Sequence, residues 1–166
     1  ATQSSKRNRR ERISFFGFAV GTEPLDAAEF ALSVNSQRMI GVYPDGAVIE
    51  LVAPDGTVSD NVVDGSFVAA ALCGLNVNNA YDVATPMTRK SLVGFKQLIR
   101  SLDEVTMDLV ATRGLTVIVK TGSTFLSKHA LTTKMDSALT REVMVITIQD
   151  FISQEYWTIS AILEKN

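Results

Sequence analysis

Apolar residues along the chain form short continuous runs and helical stripes, and each kind predicts a different element. Ile13–Val20 is an aromatic-rich run ended by Gly21, which predicts a strand buried on both faces. Thr22 is placed to cap a helix, with Pro24 near its first turn and Leu25, Ala28 and Leu32 at helical spacing. Met39–Tyr43 and Ala47–Val52 read as strands separated by Pro44-Asp45-Gly46, with a second turn at Pro54-Asp55-Gly56, so the stretch 38–63 predicts strands and hairpins. The alanine-rich Phe67–Leu75 predicts a helix stopped by Gly74, after which the polar stretch 76–85 reads as a loop.

Leu92, Phe95, Ile99 and Leu102 fit one helical stripe. Ser101 and Glu104 have capping-box spacing for a following helix that ends near Thr112, with Gly114 as its stop. Leu115–Val119 predicts a buried strand, and Thr124–Ala130 is a mixed run. The β-branched Val143–Ile148 predicts a central strand, so Val117, Ile118, Val143, Val145 and Ile146 are expected at the middle of a sheet. Ile152, Tyr156, Ile159 and Leu163 mark one face of a terminal helix. Strands alternating with helices predict an α/β (α+β) architecture, a mixed β-sheet flanked by helices in a single compact domain.

Composition narrows the functional classes. The chain has 166 residues, 46% of them hydrophobic, with four prolines and ten glycines, which excludes disordered and collagen-like classes. No apolar stretch approaches the roughly 18 residues of a membrane span, so no membrane insertion is expected. Charge is unevenly placed. Lys6, Arg7, Arg9, Arg10 and Arg12 face only Glu11 in residues 1–12, a balance of +4, so the rest carries −6 within a net −2. Residues 1–12 are therefore read as a basic N-terminal segment preceding a core at 13–166. The five cations are candidates for contact with an acidic protein surface. Nucleic acid is a poorer partner for them, since no aromatic residue interleaves the run.

Candidate chemistry is sparse. Cys73, the single cysteine, sits in an apolar run, where a small buried hydrophobe is expected. His129, the single histidine, adjoins Lys128 and is expected on a surface strand. One cysteine and one histidine provide no zinc set, and no Asp-Gly pair heads a calcium loop. Lys120-Thr121-Gly122-Ser123 has the wrong order for a phosphate loop, and Gly17 and Gly21 are too far apart for a dinucleotide fingerprint. Asp103, Glu104 and Asp108 suit the first turns of a helix. No catalytic residue, cofactor, metal or small-molecule substrate is thus assigned. The enzymatic alternative is a small hydrolase or transferase using Ser66 and His129 with Asp64; a non-viral α/β binding or adaptor domain is the other.

Several segments in order carry a family resemblance. They are the small-residue run 65–74 (GSFVAAALCG), Ala84-Thr85-Pro86-Met87-Thr88, Leu92-Val93-Gly94, and Leu109 with Arg113-Gly114-Leu115-Thr116-Val117-Ile118. Ala130-Leu131-Thr132-Thr133 followed by Arg141-Glu142-Val143-Met144-Val145-Ile146 completes the series. Together they resemble the C-terminal core of bacteriophage contractile tail sheath proteins over about residues 64–163, with weaker support at 12–20 and 38–43. The chain departs from that pattern at Asp108-Leu109, at Gly114-Leu115-Thr116 and at Ala130, where the family frequently has arginine. The resemblance implies a structural subunit, not an enzyme, in a helical tube around an inner tail tube. Neighbouring copies would be tied by strand exchange through terminal arms, and contraction would drive the tube through a cell envelope. It also implies a virion tail location after assembly in the host cytoplasm, and a fragment of a longer chain lacking one or both arms.

Overall fold

The computed structural model describes residues 12–78 and 85–163. Its centre is a mixed sheet built from β1 (Ser14–Phe16), β2 (Met39–Tyr43), β5 (Ser91–Leu92), β7 (Leu115–Thr121) and β8 (Thr124–Ser127), in the order β1-β2-β7-β8-β5. β1, β2 and β7 run parallel, and β8 is antiparallel to both β7 and β5. A second sheet has the order β4-β3-β6, from β3 (Gly46–Val52), β4 (Val58–Asp64) and β6 (Gln97–Leu98). Helices α1 (Pro24–Val34), α2 (Gly65–Asn78), α3 (Glu104–Ala111), α4 (Ala138–Arg141) and α5 (Val143–Leu163) complete the α+β domain.

Alternation along β2 and β7 builds a core on each side of the central sheet. Tyr43, Leu115 and Val117 pack with Ala27, Ala28 and Ala31 of α1 and Val110 of α3. Ile40, Val42 and Ile118 pack with Val68, Ala69 and Leu72 of α2, together with Phe125 and Val143. Period-2 strands that are apolar on both faces need such cover on both sides. The mixed sheet flanked by helices is as expected, with Val117 and Ile118 at its middle.

Several local expectations are corrected. β2 and β3 do not form a hairpin; each joins a different sheet, because β2 is already flanked by β1 and β7. The Tyr43–Pro44 peptide there is cis. The expected helix across Leu92–Leu102 is instead β5 and β6, broken by Gly94 at φ +98°. Thr22 does not cap α1: its hydroxyl donates to the Ala19 carbonyl, and Glu23 stands at the cap with no side-chain bond. α1 buries its alanines and leaves Leu25 and Leu32 exposed, since small side chains let it approach the sheet and α3. Gly74 lies inside α2, which continues to Asn78. Asp103, rather than a Ser101–Glu104 box, caps α3 by accepting from the Thr106 N–H at 3.1 Å and its hydroxyl at 2.6 Å.

The largest correction is at Val143–Ile148, which begins α5 rather than a strand. Only Glu142 makes a bridge, to Leu131. Val143 and Ile146 are fully buried at helical spacing, and Asp150, one turn on, holds Arg38 through paired hydrogen bonds. The sheet position expected for Val143, Val145 and Ile146 is closed because β7 already has β2 and β8 beside it.

Candidate assembly surface

Residues singled out for chemistry turn out to hold the backbone. Asp64 accepts from the Ser66 backbone N–H at 2.9 Å and from the Ser66 hydroxyl, closing the turn where β4 enters α2. These bonds hold the Asp64 carboxyl below its ordinary pKa. His129 follows β8 and is half-buried. Burial, and next Lys128, lower its pKa, partly opposed by Asp108. Among the described residues no hydrogen bond joins Ser66 to His129, so the Ser66, His129 and Asp64 set is not assembled as a relay. Cys73 is half-buried rather than buried, at the boundary of the inward face of α2.

The lowered pKa of His129 has a sign. The unfolded chain takes up this proton near pH 6.5, and the folded chain only at lower pH. Stability from the neutral imidazole is therefore complete above that value and declines as the pH falls through it. His129→Gln is expected to flatten the fall in melting temperature between about pH 7 and pH 5, read by calorimetry. An unchanged profile would show that other groups carry it.

The threonines of Ala130-Leu131-Thr132-Thr133 have a comparable structural role. Thr132 and Thr133 are fully buried. Thr133 Oγ1 accepts from the Ser36 N–H at 2.9 Å and donates to the Ser36 carbonyl at 3.0 Å, while the Thr132 hydroxyl donates to the Thr140 carbonyl at 2.5 Å. Thr116 Oγ1 likewise accepts from Leu131 N–H at 2.9 Å. The segment thereby ties the loop at Ser36 and helix α4 to β7 by satisfying backbone groups away from water.

A polar cluster that sequence reasoning missed sits where the chain crosses between sheets. Asp45 is fully buried, and its Oδ2 accepts from the Gly21 N–H at 2.7 Å. Arg100 Nε lies 3.8 Å from Asp45 Oδ1, an ion-pair distance too long for a hydrogen bond, while its Nη1 donates to Glu23 at 2.8 Å. The Tyr43 hydroxyl donates to the Thr22 carbonyl at 3.0 Å. Burial, followed by the charge of Asp45, pushes this phenol up to about 12. Only the Pro44-Asp45-Gly46 turn signal marked this place in the sequence, and it suggested a hairpin.

What remains exposed includes apolar side chains on two elements. Val52, Val58 and Val62 lie on one exposed face of the β3–β4 hairpin. Phe151, Ile152 and Tyr156 are exposed on α5 beyond its buried first turns. The side chains of Ile159 and Leu163 lie outside the described residues. Phe30 is about half exposed yet stacks edge-on against Phe16 and Phe18 at 5.8 and 6.2 Å. Of the five basic candidates, Arg12 is exposed just before β1, and Lys6, Arg7, Arg9 and Arg10 lie outside the described residues. No described helix is long and apolar enough to cross a membrane.

This arrangement of sheets and helices is similar to the fold of about a third of the chain in solved tail sheath proteins. The sheath tail protein of Desulfitobacterium hafniense superposes with a TM-score of 0.64 at 14% identity, covering 96% of this chain and 34% of its own. A chain of the anti-feeding prophage helical sheath in its contracted state gives 0.62 at 13% identity, over 89% of this chain and 38% of its own. The sheath tail protein of Listeria innocua gives 0.56 at 16% identity, over 92% and 38%. The chain thus spans little more than a third of the length of these proteins, and at such identities the likeness is one of fold. No protein-family model matches the sequence. No curated protein matches it either.

Proposed function

We propose that this chain is the core of a structural subunit of a contractile tail sheath, or of a related contractile injection system. The observation that carries the reading is the shared fold, which extends over 89–96% of the chain in the sheath proteins compared. The ordered sequence segments from Gly65 to Ile146 support it independently. In this reading the chain forms residues 13–166 of a sheath-like core, preceded by the basic segment 1–12, within a longer protein. Copies polymerise into a helical tube around an inner tail tube protein, and strand exchange through terminal arms ties them together. Contraction re-packs rigid subunits and drives the inner tube through a cell envelope. The work is mechanical and involves no covalent step, so the subunit is not an enzyme; its place is the tail of the virion, assembled in the host cytoplasm. Lys6, Arg7, Arg9, Arg10 and Arg12 steer a neighbouring acidic surface into register.

Negative-stain electron microscopy of the full-length parent protein, expressed alone and concentrated, tests this. Hollow, helically striated tubes of regular diameter are expected. Dispersed single particles at both low and high salt would overturn the reading.

A further inference from the structure

The two sheets part at one end of β7 and leave a cleft. β2 pairs with β7 only as far as Tyr43↔Val117, because the chain then turns through Pro44 into the second sheet. β7 continues against β8 to Thr121, so residues 118–120 run on with no strand beside them on the β2 side. The chain at 97–102 passes along this gap and encloses a cleft of about 390 Å³. Leu98, Leu102, Ile118 and Val119 give it an apolar lining, with Ser101 and Lys120 also on its wall. Both of these polar side chains are exposed, and Lys120 is the one ionisable group among the described residues of the lining. Small-molecule sites have buried, convergent polar groups and are mostly larger. This cleft is instead a socket for one or two bulky side chains.

The same chain carries a matching projection. Phe151 and Ile152 are 45% and 60% exposed on α5, and the exposed Glu155 lies one turn on, beside both on the helix surface. Among the described residues neither Glu155 nor Lys120 makes an ion pair, and the Lys120 ammonium lies 5.7 Å from the centre of the Phe125 ring. Other exposed rings suit the cleft less: Phe30 is committed to Phe16 and Phe18, and Asp64, the acid beside Phe67, to Ser66. The projection and the cleft stand at opposite ends of the parallel strands. α5 is anchored where β2 and β7 begin: Val143 N–H donates to the Ala130 carbonyl at 3.1 Å, Leu131 N–H to Thr116 Oγ1 at 2.9 Å, and Asp150 holds Arg38. Phe151 follows directly on Asp150, whereas the cleft lies where β7 ends, about 20 Å along its seven residues. A chain therefore cannot fill its own cleft.

We infer that Phe151 and Ile152 of one copy insert into the cleft of a second copy, where Glu155 meets Lys120. A contact between two different patches repeats head to tail and gives an open series rather than a closed dimer. This rests on the self-assembly proposed above, which supplies the second copy, and it names a pair of surfaces that would carry it.

Sedimentation velocity of the full 166-residue chain, from micromolar concentrations to about 0.5 mM, tests this. The mean mass is expected to climb with concentration and pass the dimer without levelling. Phe151→Ser removes the projection and Ser101→Trp fills the cleft, and each should weaken association by about tenfold or more. Mixed in equal amounts, these two variants should form a dimer and go no further, because one keeps the cleft and the other the projection. Lys120→Glu should also weaken association, and Glu155→Lys added to the same chain should restore it. Circular dichroism of every variant should match that of the unsubstituted chain. An unsubstituted chain that stays monomeric, a mass that levels at the dimer, or equal association by all folded variants would overturn the inference. Tubes formed by the full-length protein carrying both Phe151→Ser and Ser101→Trp would likewise count against this contact while leaving self-assembly standing. Head-to-tail association of the 166-residue chain without tubes from the full-length protein would do the reverse.

Discussion

Gly17→Ala is expected to lower stability by about 3 kcal/mol, one of the largest effects a single added methyl can have in this chain. A Cβ at Gly17 would stand 2.0 Å from both the carbonyl carbon and oxygen of Gly65, and 2.4 Å from Ser66 N. All three are backbone atoms in the first turn of α2, so no side chain can swing aside. A Cβ at Gly65 would in turn come within 2.8 Å of Phe18 backbone atoms, and the Gly65 N–H donates to the Phe18 carbonyl at 2.9 Å. Relief would require moving α2 as a body, with Val68, Ala69 and Leu72 leaving their places against β2 and Ile118. Gly74→Ala is the control. Nothing lies within 4 Å of a Cβ there, and the residue is inside the helix, so the change should stabilise by about 0.5–1 kcal/mol. Urea denaturation of both variants decides the matter, and a Gly17→Ala midpoint equal to the parent's would refute the close crossing.

Ile146→Ala is expected to cost about 3 kcal/mol, and Ile152→Ala less than about 0.5 kcal/mol. The two isoleucines lie on the same helix under opposite conditions. Ile146 is fully buried near the Arg38–Asp150 clasp, and Ile152 is 60% exposed beyond it. The first substitution leaves a cavity at the anchor of α5; the second removes surface already in contact with water. Equal losses from both would mean that the distal half of α5 also packs on the body. In the full-length protein the same pair should separate again, since an exposed apolar helix face that meets a neighbouring subunit would make Ile152→Ala impair tube formation without lowering the melting temperature.

The correct and incorrect expectations divide along a physical line. β2, β7, α2 and the β3–β4 hairpin were readable because local rules and final environment agree in them. Met39–Tyr43 and Leu115–Val119 are apolar runs of strand length, and Pro54-Asp55-Gly56 has the turn residues a hairpin needs. Leu92–Leu102 and Val143–Ile148 show the reverse. The first has helical spacing, yet Gly94 at positive φ and pairing with β8 and β3 draw it into two short strands. The second has β-branched composition, yet the sheet offers it no open edge beside β7, and burial of Val143 and Ile146 with the Asp150 clasp rewards a helix. β-branched residues disfavour helix by only a few tenths of a kcal/mol each, less than burying one isoleucine contributes.

The candidate surface divides in the same way. The basic segment, the lack of a recognisable catalytic set and the ordered small-residue and threonine segments are properties of the chain alone. The Tyr43–Asp45–Arg100 cluster, the Arg38–Asp150 clasp and the exposed apolar side chains of α5 were not readable there. Each depends on residues distant in sequence: Asp45 on Gly21 and Arg100, and the anchoring of α5 on Arg38 through Asp150. The sequence by itself determined the alternation of elements, the charge asymmetry and the turn chemistry, because these follow from neighbours along the chain. Only the tertiary structure decided which strands share a sheet, which apolar faces stay uncovered and which backbone groups remain unpaired, because those are settled by competition for partners across the whole fold.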